Sequence, residues 1–548
     1  MPGPSESATS TATSMWWCAG RGFSTDGSTG SSRAQLTATP SHRRGALDAD
    51  GCEVESLRLG ERPFPIAIVG AGFAGIGTAI RLKQAGIESF TIFERAAEIG
   101  GTWRDNTYPG AACDVPSHVY SLSFEPHPGW TRKFSPSGEI QAYLLGLVEK
   151  WQLRSKLRLN TEIVEARFDE ARGVWTLTTA AGEAHEARVV VSGVGGLVDP
   201  ATPDIKGIQS FGGEMFHTAR WNHEFDLGGR NVAVIGTGAS AVQVVPSIAP
   251  QVAKLSVFQR TPAWVVPKLD KAYSEHARER YARHPLSLRA SRLAQYGLSE
   301  LLGPMIFLDS KRLSAPGERM SMRHLRAQVS DPELRRKLTP GFQFGCKRIL
   351  ISDDYWASFE RENVELVTDP IAEIRHGGIE TKDGRLHELD AIVLATGFAV
   401  SLARAPFAIT GRGGRTLDEA WQRGAVAYKG MTVSGFPNWF ILMGPNTGPG
   451  HTSVLVFTEA QIEHLLQAIG KLRDEGLRYV DVRQDVQDRY NAGIQARMQH
   501  MVWHTCRSWY LSPDGSNHAL YPGFAAEYAL RARRFQPADY AIATFPAA

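Results

Sequence analysis

The chain has 548 residues, enough for three or four domain-sized units, and its 43% hydrophobic and 21% charged residues are typical of a globular protein with a large core. A net charge of +3 is close to neutral and no basic stripe stands out, which argues against nucleic acid as a partner. No segment is long and apolar enough to predict a membrane span.

Residues 1–60 are rich in Ser, Thr, Gly and Ala without a sustained apolar period, which predicts a disordered N-terminal extension. The five cysteines are widely scattered and form no C-x-x-C pair: Cys18, Cys52, Cys113, Cys346 and Cys506. This scatter argues against a zinc site and for a reducing, cytoplasmic setting.

The first strong pattern is a strand–turn–helix–strand unit that begins FPIAIVGAGFAGIG. Gly70, Gly72 and Gly75 fit G-x-G-x-x-G, whose glycines permit a tight turn and a close approach of a pyrophosphate to the helix N-terminus. The next strand ends at Glu94, 24 positions after Gly70. A carboxylate there can accept ribose hydroxyls and would repel a 2′-phosphate, so the unit predicts an FAD site.

The loop that follows is EIGGTWRDNTYPGAACDVPSHVYSLSF. It contains more aromatic residues than a surface loop without a function would, and it is predicted to fold over a bound ligand. Within it, Asp114 precedes Val115 and Pro116, and composition alone favours a turn or cap aspartate. A helix over residues 139–156 and two strands, VWTLTT and ARVVVSG, follow. The Gly-rich segment before Pro200 predicts a crossing into a second domain.

A second unit repeats the plan with the opposite charge. A buried strand over residues 232–235 precedes Gly236, Gly238 and Ala241, which fit G-x-G-x-x-G/A. Arg260 ends the next strand, again 24 positions after the first glycine. A guanidinium suits a 2′-phosphate, so this unit predicts an NADP(H) site.

Residues 269–340 are charged and helical in pattern, which predicts an insertion in the NADP(H) domain, with a capping box formed by Ser330 and Glu333. Lys347 and Arg348 follow beside an apolar strand, where a pair of basic residues is more often a solvated face. Further on, ELDAIVLATGF predicts a return crossing, and a helix beginning at about Ser453 could place amides against a flavin.

Two motifs make the chain resemble the type I Baeyer–Villiger monooxygenases, over residues 61–535. The first is the family fingerprint F-x-G-x-x-x-H-x-x-x-W followed by Pro or Asp, which Phe211, Gly213, His217 and Trp221 fit while Asn222 departs from it. The second is G-G-x-W-x-x-x-x-Y-P-G-x-x-x-D, which is met at these positions: Gly100, Gly101, Trp103, Tyr108, Pro109, Gly110 and Asp114.

The resemblance implies an α/β protein with two Rossmann-like domains, for FAD and NADP, and a helical insertion in the NADP domain. The implied boundaries are an FAD domain over 61–200, an NADP domain over 201–388 and a second part of the FAD domain, with a cofactor-covering loop, over 389–548.

The resemblance also implies a set of site residues. Asp114 would orient the active-site Arg348, and His217 would couple NADPH binding to the flavin chemistry. The implied cofactor-binding residues are Gly70, Gly72, Gly75, Glu94, Gly101, Thr102, Trp103, Tyr108, Gly236, Gly238, Ser240, Arg260, Thr261, Lys347, Asn446 and Trp509.

The implied reaction uses NADPH, FAD and O2 to convert a ketone into an ester or lactone through a C4a-peroxyflavin, without a metal, in a monomer or weak homo-oligomer.

Three other classes of protein share parts of this sequence pattern. An N- or S-oxygenating flavin monooxygenase uses the same cofactors, and a non-catalytic flavin-binding protein would need no retained site residues. A flavin disulfide reductase needs a redox-active cysteine pair, against which the scattered cysteines argue.

Overall fold

The computed structural model describes residues 64–399, 405–512 and 514–546. The predicted N-terminal extension, residues 1–60, lies outside the described residues, as do Cys18 and Cys52. The described chain is an α/β protein built on two five-stranded parallel sheets, which confirms the predicted fold class.

The first sheet is wholly parallel and buried on both faces, which is why its central strands are continuous apolar runs. In spatial order its strands are Trp439–Ile441, Val189–Ser192, Ile66–Val69, Phe90–Phe93 and Leu157–Arg158. The helix Phe73–Gln84 packs on the helix Val454–Asp474, and a Cβ added at Gly77 would lie 3.5 Å from Cδ1 of Ile462. Ser453 caps the second helix by accepting from the Leu455 N–H, so its predicted start is confirmed.

The second sheet is also parallel. In spatial order its strands are Val364–Val367, Lys254–Phe258, Asn231–Ile235, Ala391–Leu394 and Glu214–His217.

The strand Ala391–Leu394 corrects the predicted domain boundary at 388/389, which assigned it to the FAD domain. It pairs with Asn231–Ile235 on one side and Glu214–His217 on the other. The return crossing therefore follows this strand. All four of its residues are buried and apolar, so the sequence pattern does not reveal which of two similar sheets it joins.

Smaller sheets flank the two main ones. Four strands form one layer beside the first sheet: Ala408–Thr410, Ile163–Asp169, Val174–Thr179 and Ala184–Ala187. Three antiparallel strands extend the second domain: Ile371–Arg375, Gly378–Thr381 and Leu386–Glu388. Two further pairs join Val265–Val266 to Leu350–Ile351 and Leu477–Val482 to Tyr540–Thr544.

Four helices lie in the chain between the strands Lys254–Phe258 and Val364–Val367 of the second sheet: Glu275–Arg283, Pro285–Phe307, Lys311–Gln328 and Pro332–Leu338. The predicted capping box of Ser330 and Glu333 is wrong. Asp331 is the cap, accepting from the N–H groups of Glu333 and Leu334, while Ser330 binds Glu360. Pro332 occupies the first helical position, so the cap falls one residue later than predicted.

The remaining α-helices are Thr102–Asp105, Ser137–Lys150, Ala241–Ile248, Leu417–Ala420, Gln484–Met498 and Ala525–Ala532. Across the described ranges, no helix combines the length and apolar character needed to cross a bilayer.

Candidate active site

The first glycine-rich turn forms a cradle lined by backbone. Gly70 has a φ of +101°, and a Cβ at Gly75 would lie 1.9 Å from the Gly70 carbonyl oxygen, so the helix can start only with glycine there. A Cβ at Gly72 would face the Cα of Gly101 at 3.9 Å. Because the glycines carry no side chain, a gap stays open at the helix N-terminus, and a pyrophosphate can approach the backbone there.

Glu94 stands at the edge of this cradle and is 5% exposed. Its Oε2 accepts from the Ala71 N–H at 2.9 Å, and its Oε1 accepts from the Ala96 N–H at 3.0 Å and from Arg104 at 2.9 Å. The carboxylate is therefore fixed by the turn itself, in the position that ribose recognition requires.

The aromatic loop after the first unit docks on the helix that follows the second turn. Thr102 begins a short helix, and the indole N–H of Trp103 donates to the Tyr120 hydroxyl at 3.1 Å. Gln243 holds the other end of the loop: its Oε1 accepts from the Tyr108 hydroxyl at 2.9 Å, and its Nε2 donates to the Ala112 carbonyl at 3.0 Å. Sequence analysis missed Gln243, although it follows the second glycine motif by two positions.

The second glycine-rich turn is more open. Gly236 has a φ of +125°, and a Cβ there would lie 2.3 Å from the Ala395 carbonyl oxygen, whereas a Cβ at Gly238 would meet no atom within 4 Å. Thr237 Oγ1 donates to the Thr261 carbonyl at 2.8 Å, which ties the turn to the end of the next strand. Ser240 immediately precedes the helix Ala241–Ile248.

Two basic residues stand together beside this turn. Burial and the nearby positive charge of Arg260 lower the pKa of Lys347. Within the described ranges, neither side chain forms an ion pair with a carboxylate. Two neighbouring cations without a carboxylate partner can bind an anion, which fits the 2′-phosphate of NADP(H).

Arg348 and Asp114, 234 positions apart in the chain, form an ion pair. Nη2 and Nε of Arg348 lie 2.5 and 3.0 Å from Oδ2 of Asp114, which fixes the guanidinium plane. The charge of Asp114 raises the pKa of Arg348 above its already high usual value. The side chains are 38% and 29% exposed, so this permanent cation can still reach a ligand. The carboxylate partner distinguishes Arg348 from a basic residue that only faces solvent.

A C-terminal loop closes over the arginine. Tyr510 is buried, and this burial raises its pKa to about 12 while the charge of Arg348 opposes the rise. Trp509 lies 4.3 Å from the Tyr510 ring, centroid to centroid, and is 56% exposed.

Cys346 and Cys506 form a disulfide between the segment of Arg348 and this loop. The scattered positions of the cysteines do not predict this bond, because spacing in the sequence does not report distance after folding. Cys113, next to Asp114, is free and buried, and burial raises its pKa.

His217 ends the strand Glu214–His217, and among the described residues no hydrogen bond or ion pair joins it to Arg348 or Asp114. Its Nδ1 accepts from the Ala219 N–H at 3.0 Å, and its ring packs edge-on against Phe398, beside the return crossing. Burial lowers its pKa, so the imidazole is neutral at neutral pH. In the same fingerprint, Asn222 Oδ1 accepts from the Glu224 N–H as an aspartate would, and its Nδ2 also donates to Glu214.

Asn446 is buried with a φ of +56°, and its Nδ2 donates to the carbonyls of Asn517 and Leu520. Its amide nitrogen therefore supports the C-terminal segment, while Oδ1 has no partner among the described residues.

Sequence analysis also missed Glu300, which accepts from His451 at 3.0 Å and from the N–H groups at the start of the helix Ala525–Ala532. Glu300 thus joins the insertion to the loop that precedes Ser453.

These two nucleotide cradles, joined by a docked loop and a shared ion pair, define a two-dinucleotide oxidoreductase. The family model for pyridine nucleotide-disulphide oxidoreductases matches residues 67–283. A Baeyer–Villiger monooxygenase from Pseudomonas aeruginosa is 45% identical, over 90% of this chain and 95% of that protein. Another, from Streptomyces coelicolor, is 42% identical over 87% and 92%.

Solved structures agree. A steroid monooxygenase bound to NADP is 30% identical with a TM-score of 0.77, and a closed cyclohexanone monooxygenase is 28% identical with a TM-score of 0.78. Each match covers 88% of this chain and 99% of the solved one. The chain belongs to the Baeyer–Villiger monooxygenase family. The predicted family, and with it the flavoprotein monooxygenase class, is confirmed.

Proposed function

We propose that Arg348, oriented by Asp114, is the group that makes this enzyme oxygenate ketones with NADPH and O2. The product is an ester or lactone, and FAD and NADP(H) are the cofactors. The observation that carries the proposal is the ion pair itself, which holds a partly exposed guanidinium in a fixed orientation.

The residues present fit both cofactors. Bound FAD, once reduced by NADPH, supplies activated oxygen derived from O2. The first cradle, with Glu94 at its edge, holds the dinucleotide that lacks a 2′-phosphate, because its carboxylate would repel one. Arg260 and Lys347 hold the 2′-phosphate of NADP(H) beside the second turn.

Arg348 acts on charge that develops during oxygen insertion. A guanidinium stays protonated at any working pH, so it stabilises negative charge on the ketone oxygen as its carbonyl is attacked. Asp114 fixes the guanidinium in place before reaction, which avoids reorganisation at the moment of attack. Trp509 and Tyr510 exclude water, whose entry would release hydrogen peroxide instead of product.

N- or S-oxygenation remains a second activity of the same site, because soft nucleophiles need no stabilised carbonyl oxygen. The Arg348–Asp114 pair favours ketones. Assaying ketone, sulfide and amine panels side by side distinguishes the two activities.

The decisive variant is Arg348→Ala. Loss of one charge-stabilising donor lowers ester formation about 100- to 1,000-fold. Flavin reduction by NADPH under anaerobic conditions continues, because Arg260 and Lys347 still bind the nucleotide. Arg336→Ala, an exposed arginine of the insertion that pairs with Glu333, is the matched control. Undiminished ester yield in Arg348→Ala would remove this residue from the mechanism.

We also propose a cytoplasmic location and a monomer or weak homo-oligomer, as the sequence predicts. Cell fractionation tests the first and sedimentation at several protein concentrations tests the second.

A further inference from the structure

We propose that Cys346 and Cys506 are a redox modification site, at which hydrogen peroxide closes a reversible tether over the nucleotide. The pair joins positions 160 residues apart. One partner immediately precedes Lys347 and Arg348, and the other lies three residues before Trp509. No other pair of cysteines in the described ranges forms a disulfide.

The two sulfurs lie in different surroundings. Cys346 is fully buried in a segment held under the insertion: a Cβ at Gly345 would lie 2.0 Å from the Ile306 carbonyl oxygen, and Phe344 is 1% exposed. Cys506 is partly exposed, between the exposed Thr505 and Arg507. An accessible thiol beside a buried one suits a reactive cysteine with a resolving partner.

The chemistry balances with peroxide as the oxidant. The Cys506 thiol loses a proton, and the thiolate attacks hydrogen peroxide and breaks its O–O bond to give a sulfenic acid and hydroxide, which takes up that proton and leaves as one water. The Cys346 thiol likewise loses a proton, its thiolate attacks the Cys506 sulfur, the S–S bond forms, and the departing hydroxide takes up this proton as a second water. Two thiols lose two electrons and two protons, and one peroxide is reduced to two waters.

The location gives the bond a consequence. Leu308 bridges to Met501, so a backbone contact already holds the start of the loop against the insertion, and the disulfide adds a covalent link from Cys506 to the segment of Lys347. Nucleotide exchange requires the loop to move away from Lys347, and the tether opposes that motion. Cytosolic disulfides are usually transient or redox-sensing, so such a bond is compatible with the proposed cytoplasmic location.

This inference rests on the proposed function for its source of peroxide, because the monooxygenase releases peroxide when substrate is absent or water enters. Accumulated peroxide would then slow NADPH consumption, and a thiol reductant would restore it.

The test compares the FAD-loaded wild type with Cys506→Ser and with the control Thr505→Ser, which keeps the hydroxyl that donates to the Val502 carbonyl. Each protein is treated with hydrogen peroxide or with a phosphine reductant. Tryptic peptides 338–347 and 498–507 each contain one cysteine. We expect them to be disulfide-linked in oxidised wild type and Thr505→Ser, and separate after reduction or in Cys506→Ser.

The second readout is the rate of NADP⁺ release. We expect release to be several-fold slower from the linked form, with Cys506→Ser fast under both treatments. Comparison of oxidised and reduced wild type needs no substitution, so a poorly folding variant does not weaken the test. Absence of the linked peptide, or equal release rates from linked and reduced protein, overturns the proposal. Ester formation is measured separately on reduced enzyme; if it alone is missing, the proposed function fails and the redox site stands.

Discussion

The two glycine-rich units have the same length, 24 positions from the first glycine to the end of the next strand, but they end in residues of opposite charge. In the first, Glu94 is buried and bonded to the turn, to Ala96 and to Arg104. In the second, Arg260 is exposed and has no carboxylate partner within the described ranges, and a Cβ at Gly238 would meet open space.

This difference corresponds to two ways of binding a cofactor, as a resident group or as a ligand that exchanges. A recognition group that is already fixed loses little entropy on binding and favours a resident ligand. A free arginine beside a lysine gains its partner only when an anion arrives, which favours a ligand that enters and leaves. We infer that FAD stays bound through turnover while NADP(H) exchanges.

Removing Glu94 should have the largest effect on this comparison. Glu94→Ala deprives the Ala71 N–H of its acceptor and Arg104 of one of its two carboxylate partners, so the free energy of unfolding should fall by about 2–3 kcal/mol. The variant should also lose FAD on desalting, as measured by flavin absorbance per protein. Glu88→Ala, at an exposed glutamate of the same domain, should change stability by less than about 0.5 kcal/mol. Full flavin retention in Glu94→Ala would contradict a fixed resident site.

Arg260→Ala should have a smaller and more selective effect. Loss of one charge-assisted contact to a 2′-phosphate should raise the KM for NADPH about 10- to 100-fold and leave the KM for NADH nearly unchanged. Flavin content should not change, because the first cradle is untouched. Arg375→Ala, on the antiparallel extension of the second domain, is the matched control. An equal rise for both nucleotides would mean that Arg260 does not recognise the phosphate.

The smallest expected effect is a shift in pH dependence. Burial and Arg260 lower the pKa of Lys347, so its positive charge is lost at a lower pH than that of an ordinary lysine. The KM for NADPH should therefore rise at alkaline pH as this charge disappears. Arg260→Ala removes one cause of the lowering, which should move the rise to higher pH, and Lys347→Arg should abolish it. An identical pH profile in all three proteins would exclude Lys347 from phosphate binding.

Much of this arrangement was predictable because it depends on local chemistry. Gly70, Gly75 and Gly236 occupy positions where backbone approach leaves no room for a side chain, and such positions leave a motif in the sequence. The charge at the end of each following strand is equally local. The Asp114–Arg348 pair came from resemblance, since each residue alone has a commoner structural explanation.

What sequence analysis missed depends on contacts between distant segments. Gln243 acts on Tyr108 and Ala112, more than a hundred positions away, and nothing around it marks that role. Cys346 and Cys506 meet because the C-terminal loop folds back over the second domain. The strand Ala391–Leu394 lies in the second sheet. The sequence could not predict this position, because a buried apolar strand would fit either of the two parallel sheets equally well.

The ion pair between Asp114 and Arg348 also has a consequence for how the chain can be divided. One partner follows the first nucleotide unit and the other follows the second, so neither half by itself contains both members of this pair. The pair can form only when the two halves are in contact, and Gln243 helps to hold them together by donating to the Ala112 carbonyl. From the proposed role of Arg348, we expect a change in the relative orientation of the two halves to uncouple oxygen insertion from NADPH oxidation without altering either cofactor cradle.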